Sequence, residues 1–286
     1  MYATFRGELF KIVRRPGVWV LVILLLALAL LLGYVVSYLF DTYGSGAASQ
    51  GLPKGTTLKD FKVGLYPENF VKGTFSTWGA LGGVFALIVG VLVQGSEYGW
   101  GTMKTLYTQR YGRLTMLFGK VGALAVVVFV MVVALFAVDA AASVGVALLD
   151  GVPIVFPAAD VMVKAIVACF LIFGFWAMFG FGLATIFRQS AMAIGLGLAY
   201  ALVVELLIFS LLRGFGGEIV QKIEQWFPIA NTGYLASSFG EIKFKGIPTA
   251  AAPYADATHA VLLLLLYVAV FTAITVWLTR SRDITA

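Results

Sequence analysis

From Gln94 to Lys120 the chain reads QGSEYGWGTMKTLYTQRYGRLTMLFGK, a charged, glycine-punctuated segment set between two long apolar runs. Those flanks decide the fold. Crossing the hydrocarbon core of a bilayer takes about 20 apolar residues per helix. Six runs qualify, at about 18–40, 76–95, 115–149, 161–187, 190–212 and 258–279. The charged segment is therefore a connection at one membrane surface, and the chain an all-α integral membrane protein.

Composition agrees with this. Hydrophobic residues make up 61% of the 286 residues and charged ones only 12%, which excludes an ordinary soluble domain. The connections are too short to hold a second folded domain, so residues 1–286 are expected to form a single polytopic unit. A closed barrel would need short alternating segments, and runs such as VLVILLLALALLL do not alternate. The first run also exceeds the apolar core of about 7 to 15 residues found in a cleaved signal peptide.

Orientation follows from the basic residues near the span ends. With six spans, both termini share a side that carries Arg6, Lys11, Arg14, Arg15, Lys104, Arg110, Arg113, Lys120, Arg188, Arg280 and Arg282 against Glu8, Glu97 and Asp283. The opposite side is neutral, so both termini are expected in the cytoplasm. The net charge of +6 is then an inner surface facing anionic headgroups, and it calls for no nucleic acid. With Cys169 and His259 the only residues of their types, an intrachain disulfide is excluded and a zinc or haem site is not expected.

The first 17 residues form an amphipathic segment. Phe5, Leu9, Ile12 and Val13 share one helical face and Lys11, Arg14 and Arg15 the other, which predicts an interfacial elbow helix before Pro16 turns the chain into the membrane. A plain positive-inside anchor has the same pattern. Trp19 marks the inner edge of the first span, and Tyr34 and Tyr38 its outer edge. Residues 41–75 are an outer loop without clear period. In the second span Gly82, Ala86 and Gly90 recur every four residues, a stripe that lets another helix approach closely.

After that span, Glu97 to Tyr107 can form a short helix with Trp100, Met103, Leu106 and Tyr107 on one face, and Thr108 to Gly112 break it before Arg113. By composition this 97–112 segment is either a docking surface or an ordinary inside loop. Two acids fall within spans: Asp139, about 28 Å along the helix from Lys120 and so near the outer boundary, and Glu205, in the outer half of the fifth span. A charged acid in lipid costs about 2.5 kcal/mol or more. Glu205 thus faces a wet path or makes a helix-packing hydrogen bond, and Asp139 reads as an interfacial residue. Residues 213–257 form a second outer loop. Within it Ile219, Val220, Ile223, Trp226 and Phe227 share one helical side opposite Glu218, Lys222 and Glu224, with Pro228 ending the helix. The fourth span, FLIFGFWAMFGFGLATIF, is crowded with aromatics, for which lipid-facing packing is the common explanation. His259 opens the last span as an interfacial residue.

A Glu ending the second span, then Gly-Thr, a short helix, a turn, an Arg and a Gly-Lys opening the third span resemble the membrane subunits of ABC-2-type transporters. The matching positions are Glu97, Gly101, Thr102, Arg113, Gly119 and Lys120, with Glu8, Lys11, Arg14, Arg15 and Pro16 fitting the elbow. Many members have a proline in the turn, where this chain has Gln109 to Gly112. The resemblance implies a permease working as a dimer with itself or a homologue, in the plasma membrane of a prokaryote. It also implies a coupling helix that engages a separate ATPase subunit. The chain has no GxxxxGK[ST] run, so ATP and Mg would bind that partner, and this chain would carry no catalytic site. On this reading Glu97, Tyr98, Trp100, Gly101, Thr102, Lys104, Arg113 and Lys120 serve coupling, and Glu205 and Asp139 are candidates for the translocation path. Ala191, Gly195 and Ala199, a second small-residue stripe, would meet across the dimer, and 217–227 would cap the exit. The expected cargo is apolar or amphipathic. A secondary carrier would show polar, broken helices at the midplane of both halves. A non-transporting anchor, or a subunit delivering mechanical work to an outer partner, is a further alternative. An intramembrane serine protease would need a Gly-flanked serine facing a His within the membrane, but the fourth span has no serine and His259 lies at a membrane edge.

Overall fold

The computed structural model describes residues 2–43, 62–99, 112–240 and 255–281, and every regular element among them is helical. Helix α1 (Tyr2–Val13) precedes a rod of α2 (Pro16–Leu28), a π-helix (Ala29–Val36) and α3 (Ser37–Tyr43). Two 3-10 turns, Val63–Leu65 and Pro67–Asn69, lead into α4 (Phe70–Gly99). Next come α5 (Arg113–Asp150), α6 (Ala159–Phe187), and α7 (Ser190–Ala199), which runs through a second π-helix (Tyr200–Ile208) into α8 (Phe209–Glu224). Short α9 (Pro228–Ser237) and long α10 (Ala257–Ser281) complete the fold.

The helix ends follow local chemistry. Arg15 is extended (φ −84°, ψ 115°) and Pro16 stands in the first turn of α2, where its missing N–H costs nothing. Gly151, at φ 68°, caps α5 in the left-handed region that glycine adopts without strain. Arg188 ends α6 in the same region at φ 54°, an uncommon conformation for a residue with a Cβ.

Among the described residues, five segments are long and apolar enough to cross a membrane: Pro16–Phe40, Leu81–Gly99, Arg113–Asp150, Ala159–Phe187 and Ala257–Ser281. The sixth expected span, 190–212, departs from this pattern. Its apolar stretch Ser190–Val204 is shorter, and the helical path continues without a break through the π-helix to Glu224. No proline interrupts RGFGG at 213–217, and glycine alone only weakens a helix, by about 1 kcal/mol. The expected outer cap is therefore the end of this path rather than a separate helix. Pro228 does not end it either. The helix stops at Glu224, and Pro228 occupies the first turn of α9 with Phe227 extended before it. The outer loop 41–75 likewise gives way to helix early, since α4 begins at Phe70.

The core is the contact of α4 with α6. A Cβ on Gly90 would strike the Ala177 carbonyl oxygen, and one on Gly180 the Leu87 carbonyl oxygen, so the two backbones touch. The Gly82, Ala86, Gly90 stripe thus packs within the chain. Gly82 makes room for the Phe173 ring and Gly83 for Trp176. This corrects the lipid-facing reading of the fourth span: Phe173, Phe175, Trp176 and Phe181 are at most 1% exposed. Glycine sockets on α4, together with Tyr267 and Phe271 of α10 against Phe175 and Phe179, hold these rings inside. Tyr34 is also buried, packed with Leu65 and Val146, instead of sitting in an outer aromatic belt.

Candidate functional site

Helix α1, the end of α4 and the start of α5 meet in a buried charge junction. Glu97, in the last turn of α4, is 2% exposed. Its Oε1 accepts from Lys11 Nζ at 2.9 Å, and its Oε2 is ion-paired with Lys120 Nζ. Lys11 also pairs with Glu8 at 2.6 Å, one helical turn back on α1. Lys120 lies 3.4 Å from Gln94 Oε1, and Gln94 Nε2 reaches the Tyr98 hydroxyl at 3.4 Å. Arg15, at the corner between α1 and α2, donates to the Leu92 carbonyl at 3.0 Å and to Ser96 Oγ. Burial lowers the Arg15 pKa, and the Glu8 carboxylate opposes that shift.

Backbone geometry brings these groups together. Gly119 lets α1 lie against α5, because a Cβ there would stand 3.2 Å from the backbone of Thr4 and Phe5. Gly95 similarly receives Ser190, the first residue of α7. Lys11 and Arg15, expected on the headgroup-facing side of the first helix, turn inward, and Glu8 is buried with them. A buried carboxylate needs compensating charge, and three cations offset two acids here.

Of the residues assigned to coupling, Glu97, Tyr98 and Lys120 are joined in this junction, and Arg113 opens α5 as a half-buried residue. Trp100, Gly101, Thr102 and Lys104 lie outside the described residues, which stop at Gly99 and resume at Gly112. Sequence reasoning missed Lys11, Glu8, Arg15, Gln94 and Ser96 as partners of that segment. The one local signal was the Glu8 and Lys11 spacing, three apart on one helical face.

At the other end, Asp139 is 1% exposed, with Thr74 Oγ1 at 2.5 Å from its Oδ2. It is thus packed between α4 and α5 rather than interfacial. Glu205 lies in the second π-helix, with its side chain outside the described part. Asp150 gathers Tyr38, Lys62 and Tyr66 at 3.1 to 3.3 Å, tying α3 and the turns before α4 to the end of α5. His259 Nε2 meets the Gln225 carbonyl at 3.1 Å, and Tyr267 donates to the Trp226 carbonyl at 2.9 Å, so α10 holds the turn before Pro228.

Ala191, Gly195 and Ala199 are exposed, while Ala193 and Gly197 on the opposite side of α7 face the core. Among the described residues, no group of His, Cys, Asp and Glu could hold a metal ion. The family model of the ABC-2 family transporter protein matches residues 2–284. No curated protein matches the chain.

Proposed function

The chain belongs to the ABC-2 transporter family, and from that premise we propose that it is the permease subunit of an ATP-driven transporter whose ATPase is a separate polypeptide. The observation that carries this reading is the buried Glu97 carboxylate held by Lys11 and Lys120. It locks together the two helix ends that flank residues 100–111 and fastens the elbow helix to them.

A force applied to that flank by an ATPase would move α1, α4 and α5 together, because breaking the ion pairs would leave buried charges uncompensated. Glu97 and Lys120 thus transmit motion from behind the docking surface, and the direct contact falls to Trp100, Gly101, Thr102 and Lys104. Both termini lie in the cytoplasm of a prokaryotic cell, and ATP and Mg stay on the partner. The uncovered Ala191, Gly195 and Ala199 face suits close packing against a second copy. The cargo is an apolar or amphipathic compound leaving the cell. Asp139 packs behind the path, and Glu205 is the acid that would border it.

Affinity capture of the chain from its native membrane in mild detergent tests this reading. A stoichiometric ATPase with a Walker motif is expected. A chain that purifies alone, from membranes where it is active, would overturn the reading in favour of a secondary carrier.

A further inference from the structure

At the same end of the bundle as the charge junction, a cleft of about 60 Å³ opens between α1, α2 and α5, walled by Leu9, Val13, Trp19, Val22, Val126 and Val130. Its wall offers no polar group to a ligand. The Trp19 indole N–H, the one hydrogen that could, donates to the Val13 carbonyl at 2.7 Å. Val13, Trp19 and Val130 are 46%, 42% and 46% exposed, so the cleft is open on the side that faces lipid. Val126 and Val130 follow Lys120 by six and ten residues, roughly 9 and 15 Å along the helix. In a hydrocarbon core about 30 Å thick, one leaflet is about 15 Å deep, so these positions lie alongside the lower half of an acyl chain.

The charge beside the cleft is basic. Arg6, Phe10 and Arg14 recur every four residues on the exposed face of α1, with the Arg14 guanidinium 5.1 Å over the Phe10 ring. Unlike Lys11 and Arg15, Arg14 takes no part in the junction, and it directly follows the lining residue Val13. Basic residues on the exposed face of an interfacial helix attract anionic lipid headgroups.

We propose that this cleft seats one acyl chain of an anionic phospholipid whose phosphate is held by Arg14. The proposal rests on placing α1 at a membrane surface and is independent of coupling to an ATPase, so either reading can fail without the other.

Native mass spectrometry of the full chain, titrated with phosphatidylglycerol and with phosphatidylcholine of the same acyl chains, tests it. The wild type is expected to retain one phosphatidylglycerol about fivefold more tightly than phosphatidylcholine, as one basic contact implies. Arg14→Gln should bring the two lipids level. Val130→Trp, which fills the cleft from an exposed position, should lower retention of both, and Val126→Phe should repeat that result with a smaller side chain. Equal retention of the two lipids by the wild type overturns the proposal. So does undiminished phosphatidylglycerol in both cleft variants. If Val130→Trp instead separates an oligomer and leaves lipid retention unchanged, the cleft belongs to a second copy and the proposal also falls.

Discussion

Lys120 of α5 and Glu97 of α4 are ion-paired where their side chains are only 5% and 3% exposed. Removing one partner of a buried pair costs about 3–5 kcal/mol, because the other charge is left without compensation. Glu97→Ala should therefore lower the thermal stability of the detergent-solubilised chain by roughly that amount. Glu97→Gln, which still accepts hydrogen bonds, should lose less. Stability of Glu97→Ala within about 0.5 kcal/mol of wild type would remove the junction from this account.

Two glycines make opposite predictions. A side chain at Gly90 meets the Ala177 carbonyl oxygen, whereas Gly195 has nothing within 4 Å. Gly90→Leu should fail to give a folded chain, since overpacking against backbone exceeds the usual cost of about 1–3 kcal/mol. Gly195→Leu should fold normally and lose the dimer proposed for that face, as read by crosslinking in native membranes. A crosslinked dimer in Gly195→Leu would clear that face of any role in pairing.

Thr74 has one hydroxyl hydrogen and two acceptor oxygens in reach, the Phe70 carbonyl at 2.9 Å and Asp139 Oδ2 at 2.5 Å. An amide at position 139 could donate to the Thr74 oxygen and free that hydrogen for Phe70. Asp139→Asn is thus expected to stay within about 1 kcal/mol of wild type, while Asp139→Ala leaves Thr74 bonded only to Phe70, removes the hydrogen bond between α4 and α5, and loses about 1–3 kcal/mol. Thermal unfolding of the two variants side by side decides this, and an Asn variant weaker than the Ala variant would contradict it.

At the end of α5 away from Lys120, Asp150 accepts from two tyrosine hydroxyls and the Lys62 ammonium with side chains 15–17% exposed for the ion pair. Its environment is wetter than that of Glu97, so solvent screens the charge. Asp150→Ala should cost about 2 kcal/mol through the lost charged hydrogen bonds, and Asp150→Asn less than half of that. Equal losses for the two variants would mean that the ion pair with Lys62, and not the tyrosines, holds this corner.

Five of the six expected spans and a helix at the start of the chain were legible in the sequence, because about 20 apolar residues or an alternating basic and apolar face have few other uses. Glu97 and Lys120 could be picked out as flanks of one connection. The second cation on Glu97, Lys11, could not, since it lies 86 residues before Glu97 and its spacing also suits a headgroup-facing position. The aromatics of α6 misled because composition does not say which side of a helix faces lipid. What decides it is the set of glycines on α4. Nor does any residue pattern announce a π-helix, so the continuous path from Ser190 to Glu224 was read as two elements. Pro228 was taken as a stop when it equally well begins a helix.

The contact of α4 with α6 has a mechanical consequence. At Gly90 against Ala177 and Gly180 against Leu87, backbone meets backbone, with no intervening layer of side chains whose rotamers could absorb a small shift. The two helices behave as one stiff beam. A displacement of α4 would carry α6 with it, and side chains first intervene where α6 meets α10, through the rings of Phe175, Phe179, Tyr267 and Phe271.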